Sequence, residues 1–252
     1  MSTPWRIDLN CDLGEGGPHD AELLRYVTSA NIACGIHAGS PAIMRKTVEL
    51  AVKLDVGLGA HPGLADAQGM GRREMTISPN EAFDLVFRQV EALQAVAGEA
   101  GRRVDHVKPH GTLYNSSARD PALADAIARA VLSADPRLIL FGLAGSQSVR
   151  VARQAGLAVA EEAFVDRACL ADGSLAPRGT AGAILDDVEW ASRRAVTIIK
   201  EQRLVAIDGR ELRTHAETLC VHGDSPGALA MLQRLHEVFA KERIAVKRVN
   251  SP

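Results

Sequence analysis

The chain has 252 residues, and its 29 Lys and Arg against 31 Asp and Glu give a formal net charge of −2 with neutral histidines. This near balance provides no positive field to attract nucleic acid or anionic lipid. The 46% hydrophobic and 24% charged residues are typical of a soluble globular protein, while 4% aromatic residues argue against a nucleic-acid surface built on stacking.

The sequence carries no signal for a membrane span or for export. No apolar run approaches the roughly 18 residues that a span needs, and the N-terminal segment has no basic stretch followed by an apolar one. The four cysteines are far apart and form no Cys-x-x-Cys pair. We therefore expect reduced thiols, a cytoplasmic location, and neither nucleic acid nor membrane as a partner.

Short segments of β-type composition alternate with longer segments of helical periodicity. The predicted strands cover residues 6–10, 30–33, 56–60, 105–108, 138–141, 159–163 and 219–222. Predicted helix starts combine a small polar cap with a proline, at Ser40-Pro41, Ser78-Pro79 with Glu81 closing a capping box, Asp120-Pro121 and Ser225-Pro226. Seven βα units without a linker predict one α/β domain, residues 1–252, with a mostly parallel sheet. A closed or nearly closed (β/α) barrel and an open doubly wound sheet both fit.

Two segments interrupt this alternation. Residues 165–185 contain several glycines and a proline with little periodicity, which predicts a long loop suited to covering a site. Residues 204–213 contain Asp208-Gly209 between two short runs, which predicts a hairpin with its turn at Asp-Gly.

Polar residues recur on one face of the predicted strands. In the first strand Asp8, Asn10 and Asp12 alternate with apolar residues, so they share a face. The same alternation groups Asn31 with His37, Gly57 and Gly59 with His61, His106 and Lys108 with His110, and Cys220 with His222 and Asp224. Both faces of a parallel sheet are normally apolar, so this polar face predicts a site at the carboxyl ends of the strands. A buried polar network that only satisfies itself is the alternative.

Two glycine-containing segments are candidates for holding anions. Gly69-Met-Gly-Arg-Arg73 combines flexible backbone with two guanidiniums, although a solvated basic turn explains it equally well. Gly142-Leu-Ala-Gly-Ser146 lies between a strand and a helix, where backbone amides are able to bind phosphate. The sequence contains no P-loop, no complete dinucleotide-binding fingerprint and no G-x-S-x-G motif.

Taken together, these segments resemble the LamB/YcsF family. The similar segments run in order along nearly the whole chain, at residues 8–16, 29–39, 59–63, 71–73, 106–115, 142–146, 162–167 and 220–224. Ile36 and Thr112 stand where Phe and Ala are expected, and both differences are conservative.

The resemblance implies a single-domain, irregular, seven-stranded (β/α) barrel, similar to a TIM barrel and related to the glycoside hydrolase/deacetylase fold. It also implies the activity of a bacterial ATP-dependent 5-oxoprolinase, which converts 5-oxo-L-proline, ATP and two waters to L-glutamate, ADP and phosphate. The chain would be the A component and would act with separate B and C subunits, with ATP as a co-substrate. The resemblance does not assign a half-reaction to the A component.

Opening a lactam in this way needs a cation for the substrate carboxylate, charge stabilisation for phosphate and a base for water. Under the resemblance, Asp12 and His61 are the candidate acid/base pair. The candidates that orient this pair are Asp8, Asn10, His37 and His110. Lys108 and Arg73 are assigned to phosphate, and Arg167 or Arg178 to the carboxylate. Further candidates for binding substrate or phosphate are Arg72, Asn115, Asp166, His222 and Asp224.

Two other functions remain open from the sequence. A metal-dependent amidohydrolase or deacetylase would use Asp12, His37 and His61 as ligands of a divalent metal, although no H-x-x-x-H pair supports this set. A noncatalytic component that presents 5-oxoproline to its partners is the second alternative, and the density of titratable groups on one face argues against it.

Overall fold

A computed structural model describes residues 5–225 and 227–249. Its strands are β1 Trp5–Leu13, β2 Ser29–Ala33, β3 Gly57–His61, β4 His106–Val107, β5 Ile139–Leu143, β6 Ala158–Phe164, β7 Arg203–Val205, β8 Glu211–Arg213, β9 Thr218–His222 and β10 Ile244–Val246. Its α-helices are α1 Asp20–Leu23, α2 Pro41–Lys53, α3 Pro79–Glu99, α4 Gly111–Ser117, α5 Pro121–Ala134, α6 Gln147–Gln154, α7 Val188–Glu201 and α8 Ala228–Lys241.

Parallel strands form a closed barrel. The strands pair in the order β1-β2-β3-β4-β5-β6-β9, and β9 pairs back with β1, with Asp12 opposite His222. This last pairing confirms the barrel and excludes the open doubly wound sheet. Strand β10 lies outside the ring, where it pairs in parallel with the first three residues of β1.

The helix starts follow the predicted caps where the structure describes them. The side chains of Ser40, Ser78 and Asp120 each accept a hydrogen bond from a backbone N–H of the first helical turn, and Ser78 and Glu81 form a complete capping box. The fourth predicted start includes Pro226, which lies outside the described residues, and α8 is described from Ala228. None of the helices in the described ranges combines the length and apolarity that a membrane crossing needs.

The two predicted irregular segments are also present. Residues 165–185 form a long loop between β6 and α7, closed by isolated bridges from Arg167 to Ile184 and from Cys169 to Leu175. Strands β7 and β8 form the predicted antiparallel hairpin around Asp208-Gly209.

The inside of the barrel carries the polar residues of the strands, and the helices pack against its apolar outside. Ile7, Leu9 and Cys11 of β1 belong to the apolar core beneath the helices, whereas Asp8, Asn10 and Asp12 are buried within the polar network described below. One glycine shows how tightly this interior is filled, because a Cβ at Gly59 would lie 2.0 Å from His106 Nε2. The fold therefore directs the polar face of the strands to one internal site.

Candidate functional site

Asp8 lies at the inner end of this site. Its Oδ1 accepts hydrogen bonds from the hydroxyls of Thr28 and Ser29, each at 2.7 Å, and its Oδ2 accepts one from Thr218. Burial raises the pKa of Asp8 to about 6, although the hydroxyl donors oppose this rise. Asp8 therefore supports the network from below and is not among the residues that line the cavity described later.

The raised pKa of Asp8 predicts a pH-dependent stability. The folded state holds this proton more tightly than the unfolded chain, so stability falls as pH rises from about 4 to about 6. Ionisation of Asp8 in the folded state lowers the free energy of unfolding by an amount on the order of 3 kcal/mol. Urea unfolding should show the advantage of wild type over Asp8→Asn shrinking across this range, with Asp84→Asn, an exposed site, as the control. A difference that is constant with pH would contradict this assignment.

The side-chain amides of Asn10 and Asn31 connect the hydrogen bonds around Asp8 to Asp12. The Asn10 amide donates to Glu162 Oε1 at 2.9 Å, and the Asn31 amide donates to Asn10 Oδ1 at 2.7 Å and Asp12 Oδ1 at 2.8 Å. His106 Nε2 lies 2.8 Å from Asn31 Oδ1. Burial, with the nearby Lys108 charge, lowers the pKa of His106 to about 3, so this imidazole is neutral and donates to Asn31.

Lys108 lies at the centre of the network. Its Nζ is 3.0 Å from Asp12 Oδ1, 2.9 Å from Glu162 Oε1 and 3.0 Å from Cys220 Sγ. Burial opposes the ammonium charge, but the surrounding anionic groups outweigh burial and hold the pKa of Lys108 well above its usual value. A permanent positive charge is therefore fixed beneath the cavity.

Asp12 connects Lys108 to two histidines. Its Oδ2 lies 3.4 Å from His61 Nε2 and 4.0 Å from His222 Nε2. Burial opposes ionisation of Asp12, but His61 and Lys108 hold its pKa well below the usual range. The predicted pair of Asp12 and His61 is thus in direct contact, with Asp12 as a carboxylate.

A second group contains Glu15 and three histidines. Glu15 Oε1 is 3.4 Å from His37 Nε2, 3.3 Å from His110 Nδ1 and 3.9 Å from His61 Nε2. The rings of His37 and His110 stack with centroids 4.0 Å apart. The structure brings His37 and His61 together with these groups, whereas Asp12 belongs to a neighbouring group with Cys220 and His222. Of the metal set predicted from sequence, His37 and His61 lie in this group, and Asp12 lies in the neighbouring group with its Oδ2 3.4 Å from His61 Nε2.

A cavity of about 750 Å³ opens above these groups. Its floor includes Asp12, His61, Lys108, His110 and His222, and Tyr114 and Asn115 also line it. The loop 165–185 contributes Arg167 and residues 174–178 to the wall, so the loop covers the site as the sequence predicts.

Four guanidiniums line the cavity, those of Arg72, Arg119, Arg167 and Arg178. Arg72 pairs with Asp224 at 2.7 Å, and Arg178 lies 3.8 Å from the same carboxylate. Arg167 donates to the carbonyl of Ala176, and burial with its cationic neighbours lowers its pKa to about 10. The carboxylates of Glu74, in the lining, and Asp224, which pairs with Arg72 and Arg178, are fewer than the four guanidiniums, so an excess of positive charge remains that suits an anionic ligand.

Other predicted residues have different positions. Arg73 pairs with Asp66 at 3.4 Å and its side chain is 56% exposed, so it faces its own turn, and Arg72 is the arginine of this segment that lines the cavity. Asp166 lies 3.0 Å from His222 Nδ1 and accepts a hydrogen bond from the His222 backbone N–H, so it positions that ring.

The predicted phosphate loop at residues 142–146 does not offer free amides. The N–H of Ala144 donates to the carbonyl of Glu162, that of Gly145 to the Glu161 side chain, and that of Ser146 to the carbonyl of Leu143. These internal hydrogen bonds occupy the donors that a phosphate would need.

Sequence reasoning missed Glu15, Glu162 and Tyr114. Glu162 lies two residues before Phe164 on the inner face of β6, where it accepts a hydrogen bond from Tyr114 at 2.7 Å, so the same alternation argument applies to it. Glu15 follows Gly14, whose φ of +73° ends the extended geometry on which alternation depends. Its only signal was its place in the family segment 8–16.

Comparisons with known proteins find relatives that match nearly the whole chain. Proteins named as the A subunit of 5-oxoprolinase are 50% identical over 247 residues in Heliobacterium modesticaldum, covering 96% of this chain and 97% of the relative, and 46% identical over 251 residues in Bacillus subtilis, covering 98% of each. The crystal structure of a lactam utilization protein from Thermus thermophilus has a TM-score of 0.91 and 42% identity, covering 97% of this chain and all of that one.

A family 4 carbohydrate esterase from Streptomyces lividans shares the fold alone, with a TM-score of 0.55 and 10% identity over 99% of this chain and 95% of the esterase. The LamB/YcsF family model matches residues 7–252. The full-length identity and the matching barrel together show that this chain is a member of the LamB/YcsF family.

Proposed function

We propose that this protein is the A subunit of an ATP-dependent 5-oxoprolinase, which opens 5-oxo-L-proline to L-glutamate. The observation that carries this proposal is one cavity with the Asp12 carboxylate, the Lys108 ammonium and the His61 imidazole on its floor and arginines on its wall. The names and full-length identity of the relatives support the same substrate. A cytoplasmic location is part of this proposal.

The chemistry of lactam opening explains why the cavity needs both the charged groups on its floor and the arginines on its wall. A lactam carbonyl is a poor electrophile. Transfer of the ATP γ-phosphoryl group to its oxygen makes the carbonyl carbon electrophilic enough for water to attack it. Attack by water forms a C–O bond, the ring C–N bond breaks, and the nitrogen takes a proton. A second water releases phosphate, so the products are glutamate, ADP and phosphate.

The residues of the cavity match these requirements. Arg167 and Arg178 are the candidates for the substrate carboxylate, since both line the wall beside Arg72. Lys108 supplies fixed positive charge for the carbonyl and phosphoryl oxygens of the substrates. Asp12 and His61 act as the general base that removes a proton from the attacking water. Asn115 and His222 also line the cavity, and Asp224 pairs with two of its arginines, Arg72 and Arg178.

The proton positions favour His61 Nε2 as the reactive nitrogen. His61 Nδ1 lies 2.7 Å from the Lys108 carbonyl, which only accepts, so Nδ1 carries the proton and Nε2 presents its lone pair. Asp12 lies beside that nitrogen and stabilises a proton arriving there. A cavity that only presented substrate would not need this pairing, which favours a catalytic role over the noncatalytic alternative.

The test is to measure glutamate and ADP release by the purified chain, alone and with its B and C subunits. We expect little or no coupled turnover from the chain alone and full turnover from the complete set, because the sequence has no P-loop or kinase-type glycine-rich loop and the loop 142–146 uses its amides internally. Full coupled activity from the isolated chain would contradict the division among subunits, and no glutamate from the complete set would contradict the proposed function.

A further inference from the structure

Four donor atoms converge at the wall of the cavity. Glu15 Oε1, His37 Nε2, His61 Nε2 and His110 Nδ1 belong to one group whose ligand atoms all lie within 4.8 Å of one another. Four of these separations are 3.4, 3.9, 3.3 and 2.8 Å. Ligands at the bond lengths usual for zinc stand about 3.4 Å apart around a tetrahedral ion, so the measured separations are close to those of a coordination shell.

Backbone carbonyls fix the orientation of two of these rings. His61 Nδ1 lies 2.7 Å from the Lys108 carbonyl, and His110 Nε2 lies 2.7 Å from the Met70 carbonyl. A carbonyl only accepts, so each ring holds its proton on the outer nitrogen. The inner nitrogens, 2.8 Å apart, then face each other with lone pairs beside the Glu15 carboxylate. A cation placed between these three atoms would satisfy all of them at once.

His37 gives an independent indication of a ligand. This side chain is fully buried, and neither of its ring nitrogens has a hydrogen-bond partner among the described residues. Glu15 Oε1 is also buried without a hydrogen bond. A buried polar atom without a partner costs about 1–3 kcal/mol, so two such atoms that face one point indicate a group that satisfies both.

A proton satisfies this cluster poorly. One proton between His61 Nε2 and His110 Nδ1 would leave His37 Nε2 and Glu15 Oε1 without a hydrogen bond. Neutral imidazole is the form that binds a metal, and imidazole with carboxylate suits divalent zinc and other first-row transition metals.

The backbone around the rings is shaped to admit them. A Cβ at Gly63 would lie 2.4 Å from His37 Nδ1, and one at Gly71 would lie 3.0 Å from atoms of both His37 and His110. Glycine at these positions lets the stacked pair lie against the chain. The Met70–Gly71 turn, where both residues have positive φ, places the carbonyl that orients His110.

The neighbouring group of Asp12, Cys220 and His222 is a poorer cation site. The Lys108 ammonium already lies 3.0 Å from both Asp12 Oδ1 and Cys220 Sγ. A second cation there would be repelled by this charge. The Glu15 cluster contains no lysine or arginine among its donors, and its one carboxylate lacks a hydrogen bond at Oε1.

We propose that Glu15, His37, His61 and His110 bind one divalent transition-metal ion of the zinc class. With the metal bound, His61 Nε2 is a ligand and no longer the nitrogen that takes a proton. Asp12, which is not one of the four ligands, is then the proton acceptor of the predicted pair. In assigning this division of roles the inference rests on the proposed function, but metal binding itself is measured without turnover, so the two proposals can fail separately.

The experiment uses the full chain after removal of bound metal with a chelator. Titration with Zn²⁺ followed by calorimetry should give one saturable site per chain. X-ray absorption of the zinc-loaded protein should show nitrogen and oxygen neighbours with three imidazoles and no sulfur. His37→Ala should weaken binding by more than the roughly 10–100-fold that loss of an outer-shell partner costs, and Glu15→Gln should weaken it while preserving side-chain size.

Cys220→Ser is the matched control, because it alters the neighbouring cluster and should leave zinc affinity unchanged. Absence of a one-to-one site in the wild type would overturn the proposal, as would a sulfur neighbour or a loss of binding in Cys220→Ser alone. If His37→Ala does not fold, Glu15→Gln and the absorption spectrum of the wild type still decide the question.

Discussion

Asp12→Asn and His61→Ala are each expected to lower coupled 5-oxoproline hydrolysis by about 10²–10⁴, the range for loss of an acid/base group. Asp12 is a buried carboxylate 3.4 Å from His61 Nε2, and both line the cavity floor. Asparagine keeps the shape of Asp12 and removes its charge. Steady-state release of glutamate by the complete enzyme measures the effect.

The controls separate chemistry from folding and from metal binding. Asp125→Asn and His19→Ala alter exposed side chains outside the cavity lining and should leave turnover unchanged. Asp12→Asn should retain zinc binding, whereas His61→Ala should lose zinc together with turnover. A folded variant that loses less than about tenfold, roughly 1.4 kcal/mol in barrier, removes that residue from the mechanism.

Alternation along the strands predicted the core of the site because it depends only on extended geometry. Asp8, Asn10 and Asp12 point into the barrel, as their spacing requires. Lys108, which directly follows β4, donates hydrogen bonds to the side chains of Asn10 and Asp12. The argument also reached His61 and His222, which are the last residues of β3 and β9. Within a closed barrel every strand has one inner face, so alternation alone determines which side chains of a strand point into the barrel.

Residues beyond the strands required tertiary information. His37 and His110 were included on parity, but their contact with Glu15 depends on the turn at Gly14 and on loops whose path no periodicity encodes. The choice between Arg72 and Arg73 depends on the left-handed turn at Met70 and Gly71. The sequence predicted that the backbone amides of residues 142–146 are able to bind phosphate, because composition does not show which amides already donate hydrogen bonds within the protein.

The length of β4 shows a similar limit. Its regular part is two residues, His106–Val107, where the sequence predicts 105–108. The N–H groups of Asp105 and Lys108 still donate to β3, at Leu58 and Ala60 respectively, so the predicted segment is extended even where it is not counted as strand. Proline at position 109 has no N–H to donate, and the next N–H, that of His110, donates to the carbonyl of Pro62 just beyond β3.

The largest expected effect on stability is at Lys108. The ammonium is buried between Asp12 and Glu162, and each carboxylate is itself buried and held by amide or hydroxyl donors. Removing one member of a buried ion pair leaves an uncompensated charge, which costs about 3–5 kcal/mol. Lys108→Met keeps most of the aliphatic volume and removes the charge, so the loss would report electrostatics rather than a cavity.

We expect Lys108→Met to lower the free energy of unfolding in urea by that amount at neutral pH, and Lys53→Met, at an exposed position of α2, to change it by less than about 0.5 kcal/mol. Adding Glu162→Gln should recover part of the loss, because it removes one of the two stranded charges. The interaction energy of the double-mutant cycle should be about 0.5–3 kcal/mol, the range for residues in one network. Strictly additive losses would mean that Lys108 stabilises the barrel by packing alone, and its proposed role as a fixed charge beneath the cavity would then have no support from stability.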